Sequence, residues 1–207
     1  MCGRYVVKTP IKTIAKMHRV FDAPLFEPRY NVAPTQTVPI VRAKDAGRES
    51  ALVRWGLIPA WAKDPKIGYR LINARADTVA SKPSFRSAFK RRRCLVPADG
   101  FYEWQRVSKG KQPFYIHRED EELFAFAGLW EAWEPRNQPA CAAAPPTERH
   151  PSRHSVHRQM ADHAPQVRLD LELFGPPYPQ IHTWCARFCE RFVIGSDRLA
   201  SFLRPMR

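Results

Sequence analysis

With 207 residues the chain fits one globular domain around a single core. Hydrophobic residues make up 44% and charged residues 26%, and no apolar run approaches the roughly 18 residues of a membrane helix, which excludes a helical membrane protein. Lysine and arginine number 34 against 20 acids, and the resulting charge of +14 favours a polyanionic partner, nucleic acid first, over a neutral one.

In chain order, residues 4–8 alternate as a short strand. Thr9-Pro10 then starts a helix over Ile11–Phe21, where Ile11, Ile14, Ala15, Met17 and His18 recur near helical spacing. Tyr30–Thr37 reads as a loop because Asn31 and Pro34 interrupt a ladder, and 38–42 reads as the next strand. A strand from Ala51 through Trp55, a turn at Pro59 and a second apolar run, Tyr69–Ala74, follow, and both runs are expected to be buried. Ser84–Lys90 forms a helical turn ahead of the basic run Lys90-Arg91-Arg92-Arg93 and the apolar strand Cys94–Pro97. Phe101–Arg106 and Pro113–His117 flank the turn Ser108-Lys109-Gly110-Lys111 as a hairpin, and Leu123–Trp130 is a further strand. The pattern is a mixed α+β fold, barrel-like and dominated by antiparallel sheet, with short peripheral helices.

After Trp133 the character changes, with five prolines between Pro135 and Pro151 and an alanine cluster. We therefore divide the chain into a core, 1–133, and a region, 134–207, whose composition fits a divergent extension, a disordered segment or a shifted reading frame equally. Residues Met1–Lys8 lack the apolar core of a secretion signal, so a cytoplasmic protein is expected. The five cysteines, at 2, 94, 141, 185 and 189, are odd in number and scattered, which argues against a disulfide framework. His182, Cys185 and Cys189 fit no complete four-ligand zinc pattern, so neither metal nor cofactor is expected.

Chemistry enters at Cys2. Removal of Met1 before a small residue leaves an α-amine and a thiol on one residue, with ordinary pKa values of about 8 and 8.5. Such a 1,2-aminothiol closes a five-membered thiazolidine with an aldehyde at little cost in alignment. Arg4, Arg75 and Arg86 are candidates to hold phosphates, and Trp55 or Trp61 to stack on an exposed base. Solvated arginines and core tryptophans are the competing reading.

Five ordered blocks make the context specific: Met1-Cys2-Gly3-Arg4-Tyr5, Arg29–Thr35 (RYNVAPT), Trp55–Pro59 (WGLIP), Ile72–Asp77 (INARAD) and Arg93–Trp104 (RCLVPADGFYEW). Together, and through Gly128-Leu129-Trp130-Glu131, they resemble the SRAP family, the SOS-response-associated peptidase or abasic-site-processing proteins, over about residues 1–133. The resemblance implies a β-rich α+β fold whose N-terminal cysteine crosslinks to the ring-opened aldehyde of an abasic site in single-stranded DNA. By the same resemblance Cys2 is the nucleophile and Asn73 the active-site asparagine. Glu103 is the carboxylate that moves protons during ring opening and imine formation. Asn31 lies in a loop block that the family uses near the DNA.

Family members carry a His-x-Arg-Met-Pro block after the Gly-Leu-Trp strand. This chain has instead Val156-His157-Arg158-Gln159-Met160-Ala161, which makes His157 the candidate for the proton-transferring histidine. The expected partner is single-stranded DNA containing abasic sites, with no membrane, for a monomer that joins the nucleoid when DNA is damaged. Two other functions fit the same residues: a thiol peptidase using Cys2 on an amide, and a passive single-strand binder with no covalent step.

Overall fold

The computed structural model describes residues 3–45, 47–75, 78–118, 120–134 and 154–159; at 105, 107 and 154–159 it describes the backbone alone. Ten strands are found among the described residues: β1 (Arg4–Val7), β2 (Arg29–Val32), β3 (Thr37–Lys44), β4 (Gly47–Trp55), β5 (Asn73–Ala74), β6 (Arg93–Ala98), β7 (Gly100–Val107), β8 (Gly110–His117), β9 (Phe124–Ala132) and β10 (His154–Gln159). Helices α1 (Ile11–His18) and α2 (Arg86–Arg91) lie between them. The strands form a four-stranded sheet, β2-β1-β7-β8, and a six-stranded sheet, β4-β3-β6-β9-β10-β5.

The fold is α+β and mainly antiparallel, as expected, but its two sheets are not closed into one barrel. The six-stranded sheet curls instead: β10 pairs antiparallel with β9 along its length and returns to β4 through only Ser155↔Arg54 and Val156↔Trp55. One apolar cluster joins the sheets. Tyr5 meets Trp55 and Phe126 edge-on at 5.5 and 6.2 Å, and Phe101 meets Phe126 at 5.7 Å, geometries that aromatic quadrupoles favour.

Three local expectations are corrected. Tyr30–Val32 belongs to a strand rather than a loop, because Arg29–Val32 pairs with β1 across a register shift between Tyr5 and Val7, and Pro34 interrupts the ladder only afterwards. The helix stops at His18, three residues early, since Arg19 takes a left-handed conformation (φ 54°) and its N–H bonds the Lys16 carbonyl. The run Tyr69–Ala74, expected to be buried, is buried only at Ala74. Pro65–Arg70 is a 3-10 helix opened by the Asp64 carboxylate on the Lys66 N–H, and Tyr69 remains 60% exposed beneath the Arg54 guanidinium.

Asp99 ties the sheets together at the β6–β7 corner. Its buried carboxylate accepts the Lys8 and Thr9 N–H groups at 2.6 and 2.9 Å and the Thr9 hydroxyl at 2.5 Å. Asp99→Ala leaves three donors without their acceptor, and we expect a loss of about 3 kcal/mol, or roughly 10 °C in melting temperature. A melting curve within a degree or two of the wild type would remove Asp99 from this role.

His18 is buried at the end of α1, and burial, reinforced by Arg48, holds its imidazole below the usual pKa of 6.5. The unfolded chain therefore takes up the proton first as pH falls. Stability carried by neutral His18 is present above about pH 6.5 and declines below it, by at most about 1.4 kcal/mol per pH unit. Urea unfolding at pH 7.5 and 5.5 should show a smaller acid loss for His18→Leu than for the wild type; equal losses would refute the linkage.

Candidate functional site

Cys2 lies outside the described residues, which begin at Gly3, one position before β1; Arg4, the first residue of β1, has as its register partner on β7 Tyr102, the neighbour of Glu103. On the opposite side of β1, the Arg4 guanidinium donates to the Asn31 side-chain oxygen at 3.1 Å, so strand pairing unites two residues 27 apart in sequence. Asn31 itself is exposed on the edge strand β2.

Glu103 occupies the inner face of β7. It is 5% exposed, shares that face with Phe101, and stands opposite Phe114 of β8. Alternation along the strand explains this placement, since Tyr102 and Trp104 take the outer face. A carboxylate in such a site is shielded from bulk water, which strengthens its interaction with any charge or proton brought beside it.

Asn73 reaches the second sheet through the loop after β4. The Leu57 N–H bonds the Leu71 carbonyl, and Gly56, at φ 117°, approaches Gly68 so closely that a Cβ would stand 2.5 Å from its carbonyl oxygen. Glycine alone allows this return of the chain. The returning β5 then pairs in parallel with β10, Asn73 opposite Arg158. The backbone of His157 lies opposite Leu129, at the point where β10 exchanges β4 for β5 as neighbour. Backbone pairing thus brings position 157 to Asn73; the His157 side chain lies outside the described residues.

The remaining candidates are distributed around these strands. Arg75 follows β5 and is exposed, with its carbonyl accepting the Thr78 and Val79 N–H groups. Arg86 is exposed at the start of α2, whose Ala88 packs with Ala74 and Leu129. Trp61 is 51% exposed. Trp55 is a correction: it is 1% exposed, packed on Tyr5, with its indole N–H donating to the Ile72 carbonyl at 2.9 Å. A base cannot stack on a ring enclosed in this way, and its work is to anchor the loop that delivers Asn73.

Among the described residues Cys94 is the cysteine present; it is fully buried, and burial raises its thiol pKa far above the usual range, so it is no nucleophile. No group of three or more His, Cys, Asp or Glu suited to a metal is found among the described residues; His182, Cys185 and Cys189 lie outside them. No described helix is long and apolar enough to cross a membrane. Sequence reasoning missed the Asp99 corner, whose only signal was an acid beside Gly100 between two strands, and the contact of the Tyr102 hydroxyl with the Tyr30 carbonyl at 3.1 Å.

The family model for SOS response associated peptidase (SRAP) matches residues 1–161. The chain belongs to the SRAP family. This SRAP match extends past Trp133 and takes in β10. The chain is 44% identical over 137 residues to the abasic site processing protein YoaM of Bacillus subtilis, covering 64% of this chain and 60% of the relative. It is 38% identical over 145 residues to the abasic site processing protein HMCES of Xenopus tropicalis, covering 56% and 43%. The matched stretch therefore spans about 60% or less of these curated relatives. Two crystal structures share the SRAP fold. One is a protein from Bacteroides thetaiotaomicron (TM-score 0.74, 21% identity, 100% of this chain and 82% of that one). The other is a phage-related protein from Bordetella bronchiseptica (TM-score 0.56, 27% identity, 77% and 68%).

Proposed function

We propose that this SRAP chain captures abasic sites in single-stranded DNA by a covalent bond to Cys2. What carries the reading is that relatives from a bacterium and a vertebrate, both named abasic site processing proteins, align with a chain whose first strand pairs beside a buried glutamate. After removal of Met1, the α-amine of Cys2 attacks the ring-opened aldehyde, water leaves, and the thiolate adds to the imine carbon to close a thiazolidine. Glu103 moves the protons of ring opening and dehydration. Asn73 orients the sugar through its amide, and His157, delivered by β10, assists proton transfer. Arg4, Asn31, Arg75 and Arg86 hold the phosphates, and Trp61, exposed where Trp55 is buried, is available to a base. The protein acts as a monomer associated with the nucleoid during the DNA-damage response, with residues 1–133 as the catalytic core.

The test is incubation with uracil-containing single-stranded DNA treated with uracil glycosylase, followed by denaturing electrophoresis. A retained band, one protein per DNA, is expected. The family description as a peptidase favours a second reading, a thiol hydrolase with Cys2 as nucleophile. That reading requires turnover of peptide substrate by catalytic amounts of protein and no retained DNA.

A further inference from the structure

The chain between β4 and β5 is gripped from both faces of β4. Val53 and Trp55 belong to the apolar core, so alternation sends Arg54 to the opposite face. On the core side the Trp55 indole N–H holds the Ile72 carbonyl at 2.9 Å, and the Leu57 N–H holds the Leu71 carbonyl at 3.0 Å. On the other side the Arg54 guanidinium carbon lies 5.2 Å from the centre of the Tyr69 ring, in the 3-10 helix Pro65–Arg70. Consecutive residues of β4 thus hold Tyr69 and Ile72, on the approach to Asn73.

Room for the grip at Tyr69 is made by Gly68. A Cβ there would stand 3.0 Å from the Gly56 carbonyl oxygen, 3.1 Å from Arg54 Nη1 and 3.2 Å from Ile58 Cγ1, all tighter than ordinary van der Waals contact. That Arg54 nitrogen is closed off from solvent and, among the described residues, has no hydrogen-bond partner. A guanidinium nitrogen shut in this way cannot meet a phosphate, whereas Arg75 and Arg86 are exposed. What Arg54 offers instead is a flat face to a ring, which a lysine ammonium matches poorly. Tyr69 is 60% exposed, so its truncation leaves the core filled.

We propose that Arg54 and Tyr69 are positioning residues: their stack clamps the outer side of the return from Gly56 to Ile72, and the clamp fixes where Asn73 presents its amide. The catalytic consequence rests on the abasic-site reading above. The clamp itself does not.

Amide hydrogen exchange read by NMR tests the clamp, and single-turnover adduct formation on abasic single-stranded DNA tests its consequence. In Tyr69→Ala the amides of Leu57 and Leu71 should exchange about tenfold faster than in the wild type, while those of β6 and β9 stay unchanged. The rate at saturating protein should fall about tenfold, within the roughly hundredfold that a misplacement of about 1 Å can cost, with little change in the half-saturating concentration. Tyr69→Phe keeps the ring and should restore both readouts, and Arg54→Lys should reproduce part of the loss. In an Asn73→Ala background Tyr69→Ala should slow the reaction no further, because the clamp acts through Asn73. Exchange at Leu57 and Leu71 within about twofold of the wild type overturns the clamp. An unchanged saturating rate, or an equal further slowing on top of Asn73→Ala, overturns the positioning role. A change confined to the half-saturating concentration also overturns it and assigns Tyr69 to DNA contact. An adduct missing from the wild-type protein refutes the abasic-site reading alone, and the exchange result still decides the clamp.

Discussion

Cys2→Ala protein should form no adduct that survives denaturing electrophoresis. Alanine at position 2 still permits removal of Met1 and leaves the α-amine, so an imine with the abasic aldehyde can form. Without a thiol the imine carbon has no second nucleophile, and hydrolysis returns the aldehyde. In the proposed mechanism a five-membered ring makes the wild-type adduct persistent, because amine and thiol on one residue add without the entropy of bringing two groups together. Reduction with borohydride should therefore trap Cys2→Ala on DNA while leaving the unreduced sample free, and a melting curve like that of the wild type separates this outcome from unfolding. Intact mass establishes that Met1 is absent in both proteins. Undiminished, reduction-independent crosslinking by Cys2→Ala would overturn the mechanism.

Glu103→Gln should slow adduct formation by about 100-fold, the lower end of what a positioned general acid–base group contributes. Glutamine has the size of glutamate and keeps its acceptor oxygen, so the inner face of β7 beside Phe101 and Phe114 remains filled. What is lost is the ability to carry a proton. Single-turnover rates of adduct formation at saturating protein isolate this step from DNA affinity, which should change little because Glu103 is 5% exposed. A rate within about threefold of wild type, in protein that melts normally, would reduce Glu103 to a structural residue.

These two predictions depend on different kinds of legibility. The proposed role of Cys2 rests on the aminothiol that position 2 exposes after Met1 is removed and on the family blocks around it, both of which the sequence displays directly. The placement of Glu103 was legible through alternation: in Phe101-Tyr102-Glu103-Trp104 a strand must send Glu103 to one face and its neighbours to the other. Which face is interior was not legible, because both carry aromatic residues. Trp55 shows the same limit. Its indole could serve a core or a base equally well until pairing with Gln36 and the return of Ile72 enclosed it.

The sequence by itself determined the strands from Arg93 to Ala132, with the hairpin turn between them, since their alternation and turn residues are local signals. It also determined the family, because five motif blocks occur in order, and with the family the candidate chemistry at Cys2, Asn73 and Glu103. Only the tertiary structure decided that Arg29–Val32 is an edge strand, that Tyr69 faces outward and that Asp99 caps Lys8 and Thr9 from 90 residues away. It alone brought Asn73 beside Arg158 and the His157 backbone. The physical reason is shared by all of these. A periodic pattern records how a segment divides its own side chains between two faces, whereas register, burial and the closing of a site depend on free energy gained between segments far apart in the chain.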